Sequence, residues 1–254
     1  MKLVDYIKVL EAVSPKELAL SYDNVGLLID TDREIRSVLV ALDCTVDVAK
    51  EAEERCVDLV LTHHPIFFHA IQRLSSEADP DAAAAFHLIR AGIGLYAAHT
   101  NLDACAGGVN DALCERLMLH DVRPFGDEPI GRIGTLATPT TLSDFIDLCE
   151  EQLHTRARFC GEAKQFVQTV GVVGGAGGDL AWKAKALGCD VFVTGEMKHH
   201  EAIAANFAKI ACVVLGHYET ESVVLKNWIS RLQNAENSVR YILSTFEKSP
   251  LTSR

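Results

Sequence analysis

His63 and His64 stand side by side at the end of an apolar stretch, Asp58-Leu59-Val60-Leu61-Thr62, and Pro65 then stops any continuation as a sheet. Two later segments end in a related way. His99 precedes Asp103 by four residues, and His217 precedes Glu221 by four, each just after an apolar run. Imidazole and carboxylate together are donors for Zn²⁺, Mn²⁺ or Fe²⁺, and this set is too rich in nitrogen for Ca²⁺ or Mg²⁺. Five ligands (His63, His64, Asp103, His217 and Glu221), two of them carboxylates able to bridge, suit two ions roughly 3.5–4 Å apart. The chemistry of such a pair is hydrolysis: an activated water attacks a phosphoryl phosphorus or a carbonyl-type carbon. A lone strand-end histidine is more often a satisfied hydrogen-bonder. Two adjacent histidines plus two matching His-x-x-x-carboxylate endings shift the balance to metal.

Other residues near these endings read less sharply. His99 either binds metal directly or orients a ligand or a substrate group from behind. Glu196, followed by Lys198, His199 and His200, is either a solvated helix start or a substrate-side acid, base or phosphate contact. With His99 it is the candidate for proton transfer. The glycine-rich loop Gly174 to Gly178 precedes a helix and could cradle a phosphate, but it lacks a Walker Lys-Ser and reads as a tight strand-to-helix turn. Tyr22-Asp23-Asn24-Val25-Gly26 reads as a turn held by Asx hydrogen bonds, with lining a cleft as the second option. His69 reads as a capping or surface histidine rather than a ligand.

These residues need strands to deliver them. Ser37 to Leu42, Leu59 to Thr62, Gly92 to Ala98, Thr169 to Val173, Asp190 to Val193 and Ile210 to Leu215 are short, branched apolar runs, and helical spacing lies between most of them. Met1 to Val13 has helical periodicity, Ser14-Pro15-Lys16-Glu17 resembles the cap of a second helix, and Phe67, Phe68 and Ile71 look like core. Alternating strands and helices indicate an α/β class in which ligands bind beyond the carboxyl ends of the strands. The two halves echo each other: Cys56 to Thr62 aligns with Gly188 to Thr194, and each is preceded by a strand and a helix. The polar, Pro- and Gly-bearing stretch from His120 to Pro129 is the best boundary. The expected domains are thus 1–125, supplying His63, His64 and Asp103, and 126–254, supplying His217 and Glu221, with the C-terminal tail free to pack back on the first.

The 254 residues are 48% hydrophobic and 23% charged, ordinary for a soluble globular chain. A net charge of −11 disfavours a surface that wraps nucleic acid, though a bound metal can still attract an anionic small substrate. Eight scattered cysteines without a Cys-x-x-Cys pair read as reduced thiols. No apolar run approaches a membrane span and no signal segment opens the sequence, so a cytoplasmic location is expected.

Six segments in order along nearly the whole chain resemble one family: Tyr22 to Leu27, Thr62 to Phe68, Ala98 to Asp103, Gly107 to Asp111, Thr194 to Glu196 and Gly216 to Glu221. They are similar to the Nif-three-like dinuclear-metal proteins, some of which are labelled GTP cyclohydrolase type two homologues. Tyr22 stands where many members have Trp. The resemblance implies ligands at the same five positions reached above from spacing. It also implies two similar three-layer αβ domains with the metal site in the cleft between them, and a ring-shaped homohexamer. The expectation is a hydrolase with two divalent ions (Zn, Mn or Fe) acting on a nucleotide-like or phosphorylated small molecule, with GTP ring-opening as the labelled activity. The rival is a non-enzymatic metal-binding, metal-delivery or regulatory protein.

Overall fold

The computed structural model describes residues 1–68, 71, 73–77 and 79–251, and the reading of His69 falls outside them. In chain order the elements are α1 (Leu3–Val13), β1 (Gly26–Ile29), β2 (Ser37–Ala41), α2 (Val46–Glu54), β3 (Leu59–Thr62), α3 (Pro80–Ala91), β4 (Gly94–Ala97) and α4 (Thr100–Ala104). Then come α5 (Val109–Arg116), β5 (His120–Pro124), β6 (Arg132–Thr141), α6 (Leu142–Leu153), β7 (Arg158–Cys160), β8 (Phe166–Val173), α7 (Ala181–Ala186), β9 (Val191–Thr194), α8 (His199–Ala208), β10 (Ala211–Val214) and α9 (His217–Glu221). The chain ends with α10 (Val224–Ala235) and β11 (Arg240–Leu243). The protein is mixed α/β with two sheets.

The chain separates into two compact units. Unit 1 comprises residues 1–105 and 225–248, and unit 2 comprises 106–224 with the last residues from Ser249. Unit 1 holds a five-stranded sheet in the order β1-β4-β3-β2-β11, parallel except for β1. The tail strand β11 runs parallel to β2, with Tyr241 opposite Val38 and Leu243 opposite Val40. Side chains alternate across this sheet. Leu39, Ala41, Val60 and Leu95 pack with Val48 and Ala52 of α2 and with Ala85 and Leu88 of α3. Their neighbours Val38, Val40, Leu59, Leu61 and Tyr96 are buried toward the other face.

Unit 2 holds a six-stranded sheet in the order β5-β6-β8-β9-β10-β7, whose centre β8-β9-β10 is parallel. Val170, Val172, Val191 and Val193 pack on Leu113 of α5 and Leu117 just past its end, and on Phe145 and Cys149 of α6. Phe192 and Cys212 face the opposite way, onto Ala181 and Ala184 of α7 and Ala205 of α8. This unit is therefore a sheet sandwiched between two helix layers.

An aspartate placed just before the central strand repeats in both units. Asp58 Oδ2 accepts from the backbone N–H groups of Arg36 and Ser37, at 2.9 and 3.0 Å. Asp190 Oδ2 accepts from those of Gln168 and Thr169, at 3.0 and 2.9 Å. Each carboxylate pins the start of the neighbouring parallel strand, which fixes how far the two strand ends reach at the far edge.

Three local expectations change. The polar stretch from His120 lies inside unit 2, because residues 120–124 form an edge strand whose side chains are all exposed and so read as a linker. Phe68 and Ile71 are about half exposed, not core. The segment after Ser14 makes only a single 3₁₀ turn, Lys16–Leu18, before Leu20 N is taken by Thr100 Oγ1 at 2.9 Å. No disulfide forms among the described residues, and no helix among them is long and apolar enough to cross a membrane.

Candidate metal centre

In unit 1 the carboxyl ends of β2, β3 and β4 deliver the chemistry. Past Thr62 the ladder continues for two residues: His63 N donates to Ala41 O at 3.3 Å and His64 N to Leu42 O at 2.9 Å. The Thr62 hydroxyl donates to His64 O at 2.8 Å and closes the turn before Pro65. A regular strand would point these two side chains apart. The closed turn instead brings the rings of His63 and His64 to 4.9 Å between centroids. His99 caps the start of α4, and its ring centroid lies 5.1 Å from that of His63 and 5.5 Å from that of His64. One nitrogen from each of the three rings lies within 4.8 Å of the others, a grouping that could hold a metal ion. Asp103, in the first turn of α4, places Oδ1 3.6 Å from His63 Nε2.

The orientation of these rings is the informative part. His63 Nδ1 donates to Ala98 O at 2.9 Å, His64 Nδ1 to Asp43 Oδ1 at 2.8 Å, and His99 Nδ1 to both oxygens of Asp23 at 3.0 Å. With its proton on Nδ1, each neutral ring carries its lone pair on Nε2. A backbone carbonyl or carboxylate behind the ring is the usual arrangement behind a metal-binding histidine. Asp23 is itself tightly held. Burial alone would raise its pKa, but hydrogen bonds from His99 and from the hydroxyl and backbone N–H of Thr100 bring it down to about 2.

In unit 2 the same edge of the sheet carries His217 and Glu221, four residues apart on α9 and so on one side of that helix. His217 Nε2 lies 3.1 Å from Glu221 Oε2, and His217 Nδ1 donates to Glu196 Oε1 at 3.1 Å. Glu196 thus stands behind His217 as Asp43 stands behind His64. Gly175 makes room for this pair. It sits at φ +61°, and a Cβ there would fall 2.0 Å from Glu221 Oε1 and 3.2 Å from His217 Nε2. The loop Gly174 to Gly178 is therefore a cradle for protein side chains. Gly174 N is bound by Asn110 Oδ1 at 2.9 Å and Gly175 N by Thr220 Oγ1 at 3.1 Å.

Within unit 1, then, His63, His64, His99 and Asp103 come together, and within unit 2 so do His217, Glu221 and Glu196. Asp23 and Asp43 went unrecognised as ring holders. Asp43 had a usable signal, since it ends one strand as His64 ends the next. Asp23 had none beyond its place in a polar turn, where lining the site had been only the second option.

The chain matches the family described as Duf34/NIF3 (NGG1p interacting factor 3) over residues 1–250. A relative named "GTP cyclohydrolase 1 type 2 homolog" from Clostridium perfringens is 33% identical, covering 98% of each chain. A solved structure of a hypothetical Staphylococcus aureus protein superposes with a TM-score of 0.93 at 28% identity, over 100% of this chain and 99% of that one. A Bacillus cereus protein related to NIF3 has the same fold, with a TM-score of 0.94 at 23% identity over 100% and 99%. On these matches the chain belongs to the Duf34/NIF3 family.

Proposed function

We propose that the protein is a dinuclear divalent-metal hydrolase acting on a nucleotide-like or phosphorylated small molecule. His63, His64 and Asp103 from unit 1 and His217 and Glu221 from unit 2 are the ligands in this reading. The observation that carries it is the shared setting of the histidines, each with Nδ1 bonded to an oxygen, the arrangement that sets Nε2 as the ligand atom. The donor set fits first-row ions such as zinc, manganese or iron and fits poorly to all-oxygen cations. When bound, such ions would supply Lewis acidity and a more acidic water.

The chain's own residues have separate tasks. Asp103 and Glu221 bring the negative charge that offsets two dications. Asp43 and Glu196 fix the ring planes of His64 and His217. Asp23 keeps His99 oriented on the rim beside Phe68, whose ring lies 5.6 Å away, edge to face. His99 and Glu196 are the groups offered for proton transfer at the substrate. The relative named as a GTP cyclohydrolase homologue supports a nucleotide-like substrate, and the cytoplasmic location expected from sequence and the homohexamer implied by the family resemblance belong to the same proposal.

A metal-reconstituted screen over nucleotides and phosphoesters tests the reading, with Glu196→Gln as control. Turnover that needs metal and drops at least about 10-fold in Glu196→Gln fits it. Stoichiometric metal without turnover on any phosphorylated compound would instead favour metal delivery or regulation.

A further inference from the structure

The C-terminal segment carries a carboxylate that the proposed centre does not use. The parallel ladder between β2 and β11 ends when Ser244 N donates to Val40 O at 2.9 Å. The next N–H groups along β2 on that side would then face no strand. Glu247 takes them: its carboxylate accepts from Leu42 N at 2.7 and 2.8 Å, one bond to each oxygen, and from Asp43 N at 2.6 Å. The other edge of the same stretch faces His64. Leu42 O accepts from His64 N, and Asp43 Oδ1 accepts from His64 Nδ1. Leu42 and Asp43 are thus held from one side by Glu247 and grip His64 from the other, by both its backbone and its ring.

The segment bearing Glu247 is anchored in its turn. Ser244 Oγ donates to Glu51 Oε2 at 2.6 Å, and Thr245 donates to Glu51 through both its N–H and its hydroxyl. A carboxylate accepting charge-assisted bonds from consecutive backbone N–H groups is a rigid connection. A displacement of the 42–43 peptide moves Asp43 Oδ1, and the His64 ring must follow or lose its partner.

We infer that Glu247 is a positioning residue for His64, so that the C-terminal tail tunes the affinity of unit 1 for its metal. The inference rests on the reading of His64 as a ligand. It concerns Asp43 and the ring, not direct contact with metal or substrate.

The test is Co²⁺ affinity of the full-length protein by chelator competition, with the Co²⁺ visible spectrum as second readout. Glu247→Ala should weaken Co²⁺ binding about 10-fold or more and change the visible bands, as loss of support behind a ligand does. Glu247→Gln, which keeps an acceptor for both N–H groups, should recover most of the affinity. Should the alanine variant not fold, Glu247→Asp, whose shorter arm must release one of the bonds, should show a smaller drop in the same assay. Native affinity and spectrum in the alanine variant, or in the aspartate variant if only that one folds, overturn the inference. A His64→Ala control that binds Co²⁺ like the native protein overturns the ligand reading itself, so the two failures are distinguishable.

Discussion

The two units build their strand ends on one frame and then fill it with different chemistry. In unit 1 His64 N returns to Leu42 O, and the Thr62 hydroxyl donates to His64 O. In unit 2 Glu196 N returns to Gly175 O at 2.8 Å, and the Thr194 hydroxyl lies 3.2 Å from Gly175 O and 3.5 Å from Glu196 O. With Ala41 opposite Thr62 and Val173 opposite Thr194, Glu196 occupies the place of His64, and Gly175 the place of Asp43. Unit 1 puts an imidazole at this point and holds it with a carboxylate from the preceding turn. Unit 2 puts the carboxylate at this point and uses it to hold an imidazole from the following helix, and the preceding turn has only a glycine because Glu221 needs the space. The frame fixes where side chains arrive, and a few substitutions decide which side chain is held and which one holds it.

The comparison can be broken most forcefully at the donors. His64→Ala and His217→Ala should each lower metal affinity more than about 100-fold, read by chelator competition, with the fold retained by circular dichroism because both lie past the strand ends. Full occupancy in either variant would remove that unit's donor role. Gly175→Ala comes next. A side chain at φ +61° costs about 1–2 kcal/mol of backbone strain, and its Cβ displaces Glu221, so metal binding should fall with a measurable loss of stability.

The supports should show a smaller and parallel effect. Asp43→Asn and Glu196→Gln should each weaken metal binding by about 10- to 100-fold, and a loss in only one of them would show that the two units do not use their frames alike. The strand-start aspartates sharpen the structural half of the comparison. Asp58→Ala and Asp190→Ala should each cost about 1–3 kcal/mol in denaturant unfolding, since each leaves two backbone N–H groups without their carboxylate.

The smallest effect is a pH dependence confined to unit 1. Burial alone would raise the pKa of Glu51, but bonds from Ser244, Thr245 and Arg55 lower it below its ordinary value of 4.5. A depressed carboxylate contributes stability above that value and loses it as the pH falls through the lowered one. Protection of the Thr245 amide, taken relative to its intrinsic exchange rate, should therefore fall below about pH 4.5, and a Glu51→Gln variant should not show that acid-side change.

The strands and most helices were legible because branched apolar runs alternate with helical spacing, and the repeat was legible because β3 and β9 share a pattern. The five proposed ligands were legible because imidazoles after apolar runs are rare enough to stand out. One inference from spacing needs revising. His99 to Asp103 and His217 to Glu221 look like copies, but Ala98 N and Leu215 N bond the matching carbonyls of Thr62 and Thr194. By that register His99 corresponds to Gly216, and His217 to Thr100, so the equal spacing is not structural equivalence. The supports Asp23 and Glu247 were not legible, because each acts across 76 residues or more of sequence through a single carboxylate. An isolated acid in a polar stretch carries no periodic signal.

Elemental analysis of untagged, natively purified protein tests the central claim most directly. Two first-row metal ions per chain, both lost from His64→Ala and His217→Ala, are the predicted result. Zero or one ion per chain in the native protein would contradict it.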